Sequence, residues 1–211
     1  MNTEIKINLK EITGECFNLS KPGKTCEARF ADISELECYD DYLNVCSKTE
    51  KYDNKDMARV AALLIEMHSK CNIPEEYIET SEQFAELVKI NKKKDVSESR
   101  DYVFFAYDCM REIEKLDNKV LCEIKQDGTA IYAAASQDDD ISCIVAVNNS
   151  EKDIFTEFSI DGLPGRATSI DYYFADEYNQ LSIVCNTDTK LETTKILIPM
   201  SPYSLHLFKI R

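Results

Sequence analysis

The sequence has few of the residue types that build metal and nucleotide sites. Its nine cysteines form no C-x-x-C pair, and its two histidines, His68 and His206, lie far apart, so no structural zinc site is expected. The five glycines do not form G-x-G-x-x-G or a Walker pattern. The acidic triplet Asp138 to Asp140 lacks the spacing of a calcium loop and favours a solvated hairpin tip. We therefore predict neither a metal nor a cofactor.

Basic residues and long apolar runs are also scarce. Lys and Arg number 25 against 39 Asp and Glu, a net charge of -14, and the longest basic run, Lys92 to Lys94, is short. Nucleic acids and anionic membranes require clustered cations, so neither is expected as a partner. No run reaches the ~20 apolar residues that span a bilayer. The odd cysteine count and the lack of an apolar segment after Met1 favour a reducing compartment, and we predict a cytoplasmic protein.

Residues 1–118 are predicted to form one strand followed by helices. Thr3 to Leu9 alternates apolar and polar residues, which is the period of a half-buried strand. Asp53 or Asn54 can cap the first helix, whose apolar residues recur at helical spacing. Helices are predicted at Lys55 to Cys71, at Ser81 to Ile90, and from Ser97 or Ser99 to about Asp117.

From Lys119 the apolar period becomes two, and turn-forming residues separate short segments. Eight strands are predicted, at Val120–Ile124, Ala130–Ala135, Ser142–Asn148, Ile154–Ile160, Ala167–Phe174, Leu181–Cys185, Thr194–Pro199 and Tyr203–Ile210. Eight short strands with such turns are typical of an antiparallel β-sandwich. We therefore expect a mainly β protein with two parts: an α-rich N-terminal part over 1–118 and an antiparallel β-sandwich over 119–211.

Candidate binding and catalytic residues are few. A nucleophilic Ser or Cys needs a histidine base, but the patterns around both histidines favour structural roles. The aromatic cluster from Tyr172 to Tyr178 favours core packing for Tyr172 and Phe174, whereas Tyr173 and Tyr178 could stack on a sugar. Glycoside hydrolysis requires two carboxylates, and Glu4 and Glu11 are candidates by position alone.

Several segments from Met57 onward resemble the C-terminal part of clan-A retaining glycoside hydrolases, such as family 39 β-xylosidases and arabinofuranosidases. The helix Met57 to Ile65 and the run Asp101 to Tyr107 are similar to late barrel helices. The segments Ile131 to Ser136 and Ile144 to Asn149 resemble a sandwich strand pair that ends in an asparagine. Ile198 to Leu205 is similar to a last hairpin that contains proline.

The resemblance implies the end of a β/α barrel followed by an accessory sandwich. A complete barrel takes ~250 residues, so only a partial barrel remnant is expected before Lys119. The family's Asn-Glu pair does not occur in this sequence, and its nucleophile position falls near Leu9, two residues before Glu11. A catalytic pair is therefore not identified, and Glu11 is the single weakly supported catalytic candidate.

These features predict a truncated or split relative of a glycoside hydrolase that is inactive alone. Its enzymatic status is open, and it would be glycosidase-like if active. The partners implied are a carbohydrate and a second chain that completes the barrel. The alternative is a free-standing β-sandwich that binds a carbohydrate through Tyr173 and Tyr178 or binds another protein.

Overall fold

The structure, a computed structural model, describes residues 2–15, 40–41, 44–45, 52–70, 102–125, 130–163, 168–189 and 191–211. Two helices and nine strands have bounds within these ranges. They are β1 (Asn2–Glu15), α1 (Asn54–Lys70), α2 (Val103–Glu114), β2 (Asn118–Lys125), β3 (Ile131–Gln137), β4 (Ser142–Asn148), β5 (Ile154–Asp161), β6 (Thr168–Ala175), β7 (Ser182–Thr189), β8 (Thr193–Met200) and β9 (Leu205–Ile210). All eight strands predicted after Lys119 are confirmed, since period-two alternation and turn residues mark them locally.

The nine strands form one mixed sheet in the order β7-β6-β9-β4-β3-β2-β1-β5-β8. The strands after Lys119 pair antiparallel with one another, as predicted. The predicted sandwich is instead one curled sheet, and it is mixed because β1 pairs parallel with β5. On its other edge β1 pairs antiparallel with β2. The N-terminal strand is thus an interior strand of the sheet, and its interpretation as part of a barrel remnant is not supported.

The sheet curls so that one face encloses a core. Four strands lie between β5 and β9 in the sheet, yet the rings of Phe158 on β5 and Phe208 on β9 are 4.9 Å apart between centroids. In a flat sheet, the distance between two strands with four others between them would be several times the 4.7–4.9 Å spacing of neighbouring strands. The enclosed core contains buried apolar side chains from every strand except the edge strand β7.

Both helices pack on the outer face of the same sheet. Buried residues of α1 and α2 contact one another and the outer side chains of β3, β4 and β9, including Ala134, Val145 and Leu207. A reciprocal cap begins α1: Asp53 Oδ1 accepts from the Asp56 N–H at 2.9 Å, and Asp56 Oδ2 accepts from the Asp53 N–H at 3.1 Å. The predicted cap at Asp53 is confirmed.

The prediction of an α-rich N-terminal part is not supported. Among the described residues, α1 and α2 are the two helices with complete bounds, and most of these residues lie in strands. The predicted helix Ser81 to Ile90 and the predicted caps Ser97 and Ser99 lie outside the described residues. The second helix begins later than predicted, at Val103, with Tyr102 at the N-cap and no side-chain cap. The division into 1–118 and 119–211 stays a prediction.

A bulge interrupts β1 where it meets a glycine turn. Pairing with β2 shifts register between Asn8 and Ile12. Gly162, after β5, has φ +86°, and an added Cβ would lie 2.9 Å from the Lys10 side chain and 3.1 Å from the Lys10 nitrogen. Any other residue there would strain the backbone and collide with the bulge.

Candidate functional site

Glu11 lies on the bulge of β1. Its side chain is exposed, and its Oε2 accepts a hydrogen bond from Asn8 Nδ2 at 3.3 Å. Leu9, the position that the resemblance matches to a nucleophile, is buried in the enclosed core. The bulge therefore leaves Glu11 exposed to solvent, and the catalytic assignment of Glu11 stays a prediction.

Tyr173 and Tyr178 lie in different surroundings. Tyr173 is half-buried against the helix-side core, and Lys209 Nζ lies 5.5 Å from its ring centroid. Tyr178, in the turn after β6, is 84% exposed. Tyr172 instead packs on the enclosed core, with its ring stacked on Phe208 at 4.9 Å, so the predicted alternation of Tyr172 and Tyr173 is confirmed. Of the two candidate sugar-stacking rings, Tyr178 is the more available.

His206 is a buried structural residue in a hydrogen-bonded chain between β6 and β9. Ser204 Oγ donates to the Ser201 carbonyl at 2.6 Å, so this oxygen accepts from His206 Nε2 at 2.8 Å. His206 Nδ1 then accepts from the Tyr172 hydroxyl at 2.8 Å. Burial lowers the pKa of His206 to about 3, so the ring is neutral. Because Ser204 and His206 are both buried, the pair has no access to a substrate.

Asn148 joins two turns at one end of the sheet. Its Nδ2 donates to the carbonyls of Lys152 at 2.8 Å, Met200 at 3.1 Å and Ser201 at 2.9 Å. Its Oδ1 accepts from the Ser150 hydroxyl at 2.7 Å and from the Ser150 N–H at 3.1 Å. Asn148, the last residue of β4, is thus a buried residue that links the β4–β5 and β8–β9 turns. It is the asparagine that ends the strand pair in the family resemblance.

Asp176 and Asp138 organise turns by accepting backbone hydrogen bonds. Asp176 Oδ1 accepts from the Tyr178 and Asn179 N–H groups at 2.9 Å, and these bonds help to lower the pKa of Asp176 against the opposing effect of burial. Asp138 Oδ1 accepts from the Ile141 N–H at 2.9 Å in the β3–β4 turn. The acidic triplet is therefore a hairpin tip, as predicted. Within the described ranges no group of three or more His, Cys, Asp and Glu could hold a metal ion.

His68 lies at the wall of a cavity of about 150 Å³. The cavity is lined by Thr13, His68, Ser69, Lys119, Val120, Leu121, Cys122, Ala133, Ala134 and Ala135. Burial, and next the charge of Lys119, lower the pKa of His68 to about 3. Neither ring nitrogen of His68 has a hydrogen-bond partner among the described residues. This cavity combines groups from β1, α1, β2 and β3.

Comparisons with known proteins give a likeness of fold. No family model and no curated protein matches the sequence. The glucosidase from Croceicoccus marinus superposes with a TM-score of 0.53 at 12% identity, over 77% of this chain and 43% of that chain. This likeness shows that the chain shares its fold with part of that glucosidase.

Two further solved structures have glycoside hydrolase names. The GH39 enzyme from Xanthomonas axonopodis pv. citri has a TM-score of 0.43 at 9% identity, covering 53% of this chain and 30% of that chain. A xyloglucanase of glycoside hydrolase family 44 from Paenibacillus polymyxa has a TM-score of 0.42 at 17% identity, covering 55% and 24%. Both scores are below 0.5, so we base the fold comparison on the glucosidase. The chain spans less than half the length of each of these proteins.

Sequence reasoning missed the residues that line the cavity. They come from four elements and carry no common motif, because the sheet order and the end of α1 bring them together. One local signal was present: Lys119 stands where the apolar period changes from helical spacing to two, at the start of β2. No helix in the described ranges is long and apolar enough to cross a membrane.

Proposed function

We propose that this chain is a glycoside-hydrolase-related protein that supplies the accessory β-sandwich and its adjoining helices, and that it does not hydrolyse glycosides by itself. The observation that carries the proposal is the likeness to the Croceicoccus marinus glucosidase over 77% of this chain. The order of sequence segments similar to family 39 β-xylosidases and arabinofuranosidases also supports it. Pentosides are accordingly the first substrates to examine.

The proposed lack of activity rests on the position of the carboxylates. A glycosidase needs an acid and a second carboxylate about 5–9.5 Å apart across the scissile bond. Glu11, the candidate by position, is exposed at a bulge and is hydrogen-bonded to Asn8. The Asn-Glu pair of the resembling enzymes is missing from the sequence. We propose that a second chain carrying the barrel supplies the catalytic groups, and that both chains are cytoplasmic.

A hydrolysis assay with matched variants tests this function. The purified chain is incubated with aryl xylosides, arabinosides and glucosides, alongside Glu11→Gln and Glu123→Gln. Glu123 is a suitable control because it is exposed on the neighbouring strand β2. We expect no turnover from any of the three proteins. Turnover that is lost in Glu11→Gln and retained in Glu123→Gln would overturn the proposed inactivity.

A second candidate function is carbohydrate binding by a free-standing module. The observation that favours it is the 84% exposure of Tyr178, whose ring is open for stacking on a sugar. Tyr173 contributes less in this arrangement, since Lys209 lies over its ring. Exposed apolar residues on the opposite sheet edge, Phe155 and Leu197, would instead suit a protein partner.

Titration with soluble xylo-, arabino- and gluco-oligosaccharides tests carbohydrate binding. If Tyr178 stacks on sugar, tyrosine fluorescence changes saturably, the change disappears in Tyr178→Ala, and it persists in Phe155→Ala. Phe155 is a matched control because it is also an exposed aromatic residue, at 52%, but lies on β5. An unchanged spectrum at millimolar ligand would count against a carbohydrate-binding module.

A further inference from the structure

β7 is one of the two edge strands of the sheet, and among the described strands it pairs with β6 alone. Its residues from Ser182 to Asp188 are exposed, so neither face of the strand is covered by another layer. The apolar residues Ile183 and Val184 remain 54% and 52% exposed. The strand is therefore held by its pairing with β6, and its other edge has no partner strand among the described residues.

The hydrogen bonds at Ser169, on β6, show which backbone groups of β7 point to this open edge. Ser169 and Arg211 exchange two backbone hydrogen bonds, at 2.8 and 2.9 Å, so the N–H and C=O of Ser169 point away from β7. Asp188 lies directly opposite Ser169 in the β6–β7 ladder. Opposite residues of an antiparallel pair either bond to each other or both point outward, and the direction alternates along the strand. Asp188 and Asn186 therefore direct their N–H and C=O groups to the open edge.

A bulge limits the regular part of this edge. The β6–β7 ladder shifts register at Val184, which is an extra residue on β7. A bulge bends its strand and interrupts the ladder, so continuous pairing with a further strand is available from Cys185 to Thr189. Within that segment, Asn186 and Asp188 each offer one backbone donor and one acceptor.

The opposite edge of the sheet, β8, carries residues that hinder strand pairing, and β7 does not. Pro199 on β8 has no N–H, and a proline is accommodated in a sheet where its nitrogen faces away from the neighbouring strand. Alternation then directs the backbone groups of Lys195 and Leu197 to the same edge. Proline and lysine on an edge strand discourage the addition of another strand. β7 contains neither residue type from Ser182 to Thr189, so it is the edge that remains open to a partner.

A second copy of β7 fits this edge in one register. When two copies pair antiparallel about a two-fold axis, outward residues must lie opposite outward residues. Asp188 opposite its own copy would place two like charges side by side, which destabilises a strand pair. Asn186 opposite its own copy would place Asp188 against the bulge at Val184. Asn186 opposite Asp188 of the second copy avoids both, and it places Thr187 on the axis.

We propose that the open edge of β7 is an interface between two copies of this chain, in which Asn186 of one copy lies opposite Asp188 of the other. Each of the two symmetric pairs exchanges two backbone hydrogen bonds, and the sheets of both copies become continuous. An edge contact is small, so we expect a dissociation constant on the order of 100 μM. Each copy carries a charge of -14, so salt should strengthen the dimer by screening their repulsion. This interface goes beyond the proposed function and does not depend on whether the chain hydrolyses glycosides.

Sedimentation equilibrium of the full chain and of two variants at Asp188 tests the interface. Asp188→Pro removes an outward N–H without affecting the pairing with β6, and it should weaken the dimer by about tenfold or more, because two hydrogen bonds are lost in each dimer. Asp188→Asn keeps the N–H and should dimerise at least as tightly as the wild type. A wild-type monomer at concentrations up to about tenfold above the expected dissociation constant would overturn the proposal. Equal dimerisation by Asp188→Pro would also overturn it.

A cysteine on the two-fold axis tests the register, and it decides the matter if Asp188→Pro fails to fold. Thr187 faces its own copy in a non-hydrogen-bonded pair, where Cα atoms lie about 4.5 Å apart, within the range of a disulfide. In a Cys185→Ser background, which removes an exposed native thiol, Thr187→Cys should form an intermolecular disulfide at position 187 on mild oxidation, identified by peptide mapping. Leu197→Cys in the same background is the control, because Leu197 is 67% exposed on the other edge strand, and it should form none. No disulfide at position 187, or an equal yield at position 197, would contradict the interface.

Discussion

Replacing Asn148 tests whether the polar connector at the end of β4 stabilises the sheet. Asn148→Ala removes an amide that donates to three carbonyls and accepts from Ser150. The Met200 carbonyl is buried at this contact, so it would lose its Asn148 partner without ready access to water. A buried polar group left without a hydrogen-bond partner lowers the free energy of unfolding by about 1–3 kcal/mol, and loss of a typical hydrogen bond lowers it by about 1 kcal/mol. We expect a total loss near 3 kcal/mol in the free energy of unfolding.

Urea denaturation followed by circular dichroism measures this loss. For a slope of about 2–3 kcal/mol/M, the midpoint should fall by about 1 M or slightly more. Asn148→Asp should lose still more, because it places a carboxylate against three carbonyl oxygens. Asn149→Ala is the control: the hydrogen bond from Asn149 to Ala130 uses the backbone N–H, which alanine keeps, so a change within about 0.5 kcal/mol is expected. A loss below 1 kcal/mol for Asn148→Ala would refute the reasoning.

Three further predictions concern the core, the histidine and the thiols. A double-mutant cycle with Phe158→Leu and Phe208→Leu, measured by urea denaturation, should give a coupling energy of about 0.5–1.5 kcal/mol, and zero coupling would argue against the curl that brings β5 to β9. The pKa of His206 is about 3 in the folded protein and about 6.5 in the unfolded protein. Between these pH values the unfolded state binds the proton and the folded state does not, so the free energy of unfolding falls as the pH drops from 6.5 toward 3. His206→Gln should reduce this slope by about 1.4 kcal/mol per pH unit near pH 5, and an unchanged slope would contradict the neutral buried ring. Exposed Cys185 should react with a thiol reagent in the native protein, whereas buried Cys109, whose pKa burial raises, should react after unfolding; peptide mapping that shows the reverse order would contradict the burial pattern.

The strands after Lys119 could be predicted from the sequence because each carries a local signal. The strand Ser142 to Asn148 was predicted with its observed bounds, since turn residues flank it on both sides. The alternation of Tyr172 and Tyr173 followed from the two-residue period of β6. The cap at Asp53 was also visible locally, because Asp56 follows at the spacing of a reciprocal cap.

The order of the strands could not be predicted, because pairing between distant segments leaves no periodic trace. Thr3 to Leu9 was correctly predicted as a strand, but its place between β2 and β5 depends on contacts with residues more than 100 positions away. The cavity depends on the same arrangement. Thr13 and Lys119 approach because Gly14 pairs with Lys119 in the β1–β2 ladder. The bulge that exposes Glu11 arises where Gly162 packs on Lys10, which is again a distant contact.

The central proposal is that this chain does not cleave glycosides alone. Retaining glycosidases form a covalent glycosyl intermediate on a carboxylate, so activated 2-fluoro glycosides label the nucleophile of an active enzyme. The most direct measurement is the intact mass of the purified chain after incubation with activated 2-fluoro xyloside, arabinoside and glucoside. We predict an unchanged mass with each reagent. A gain of one glycosyl group, mapped by peptide analysis to Glu11, would contradict the account.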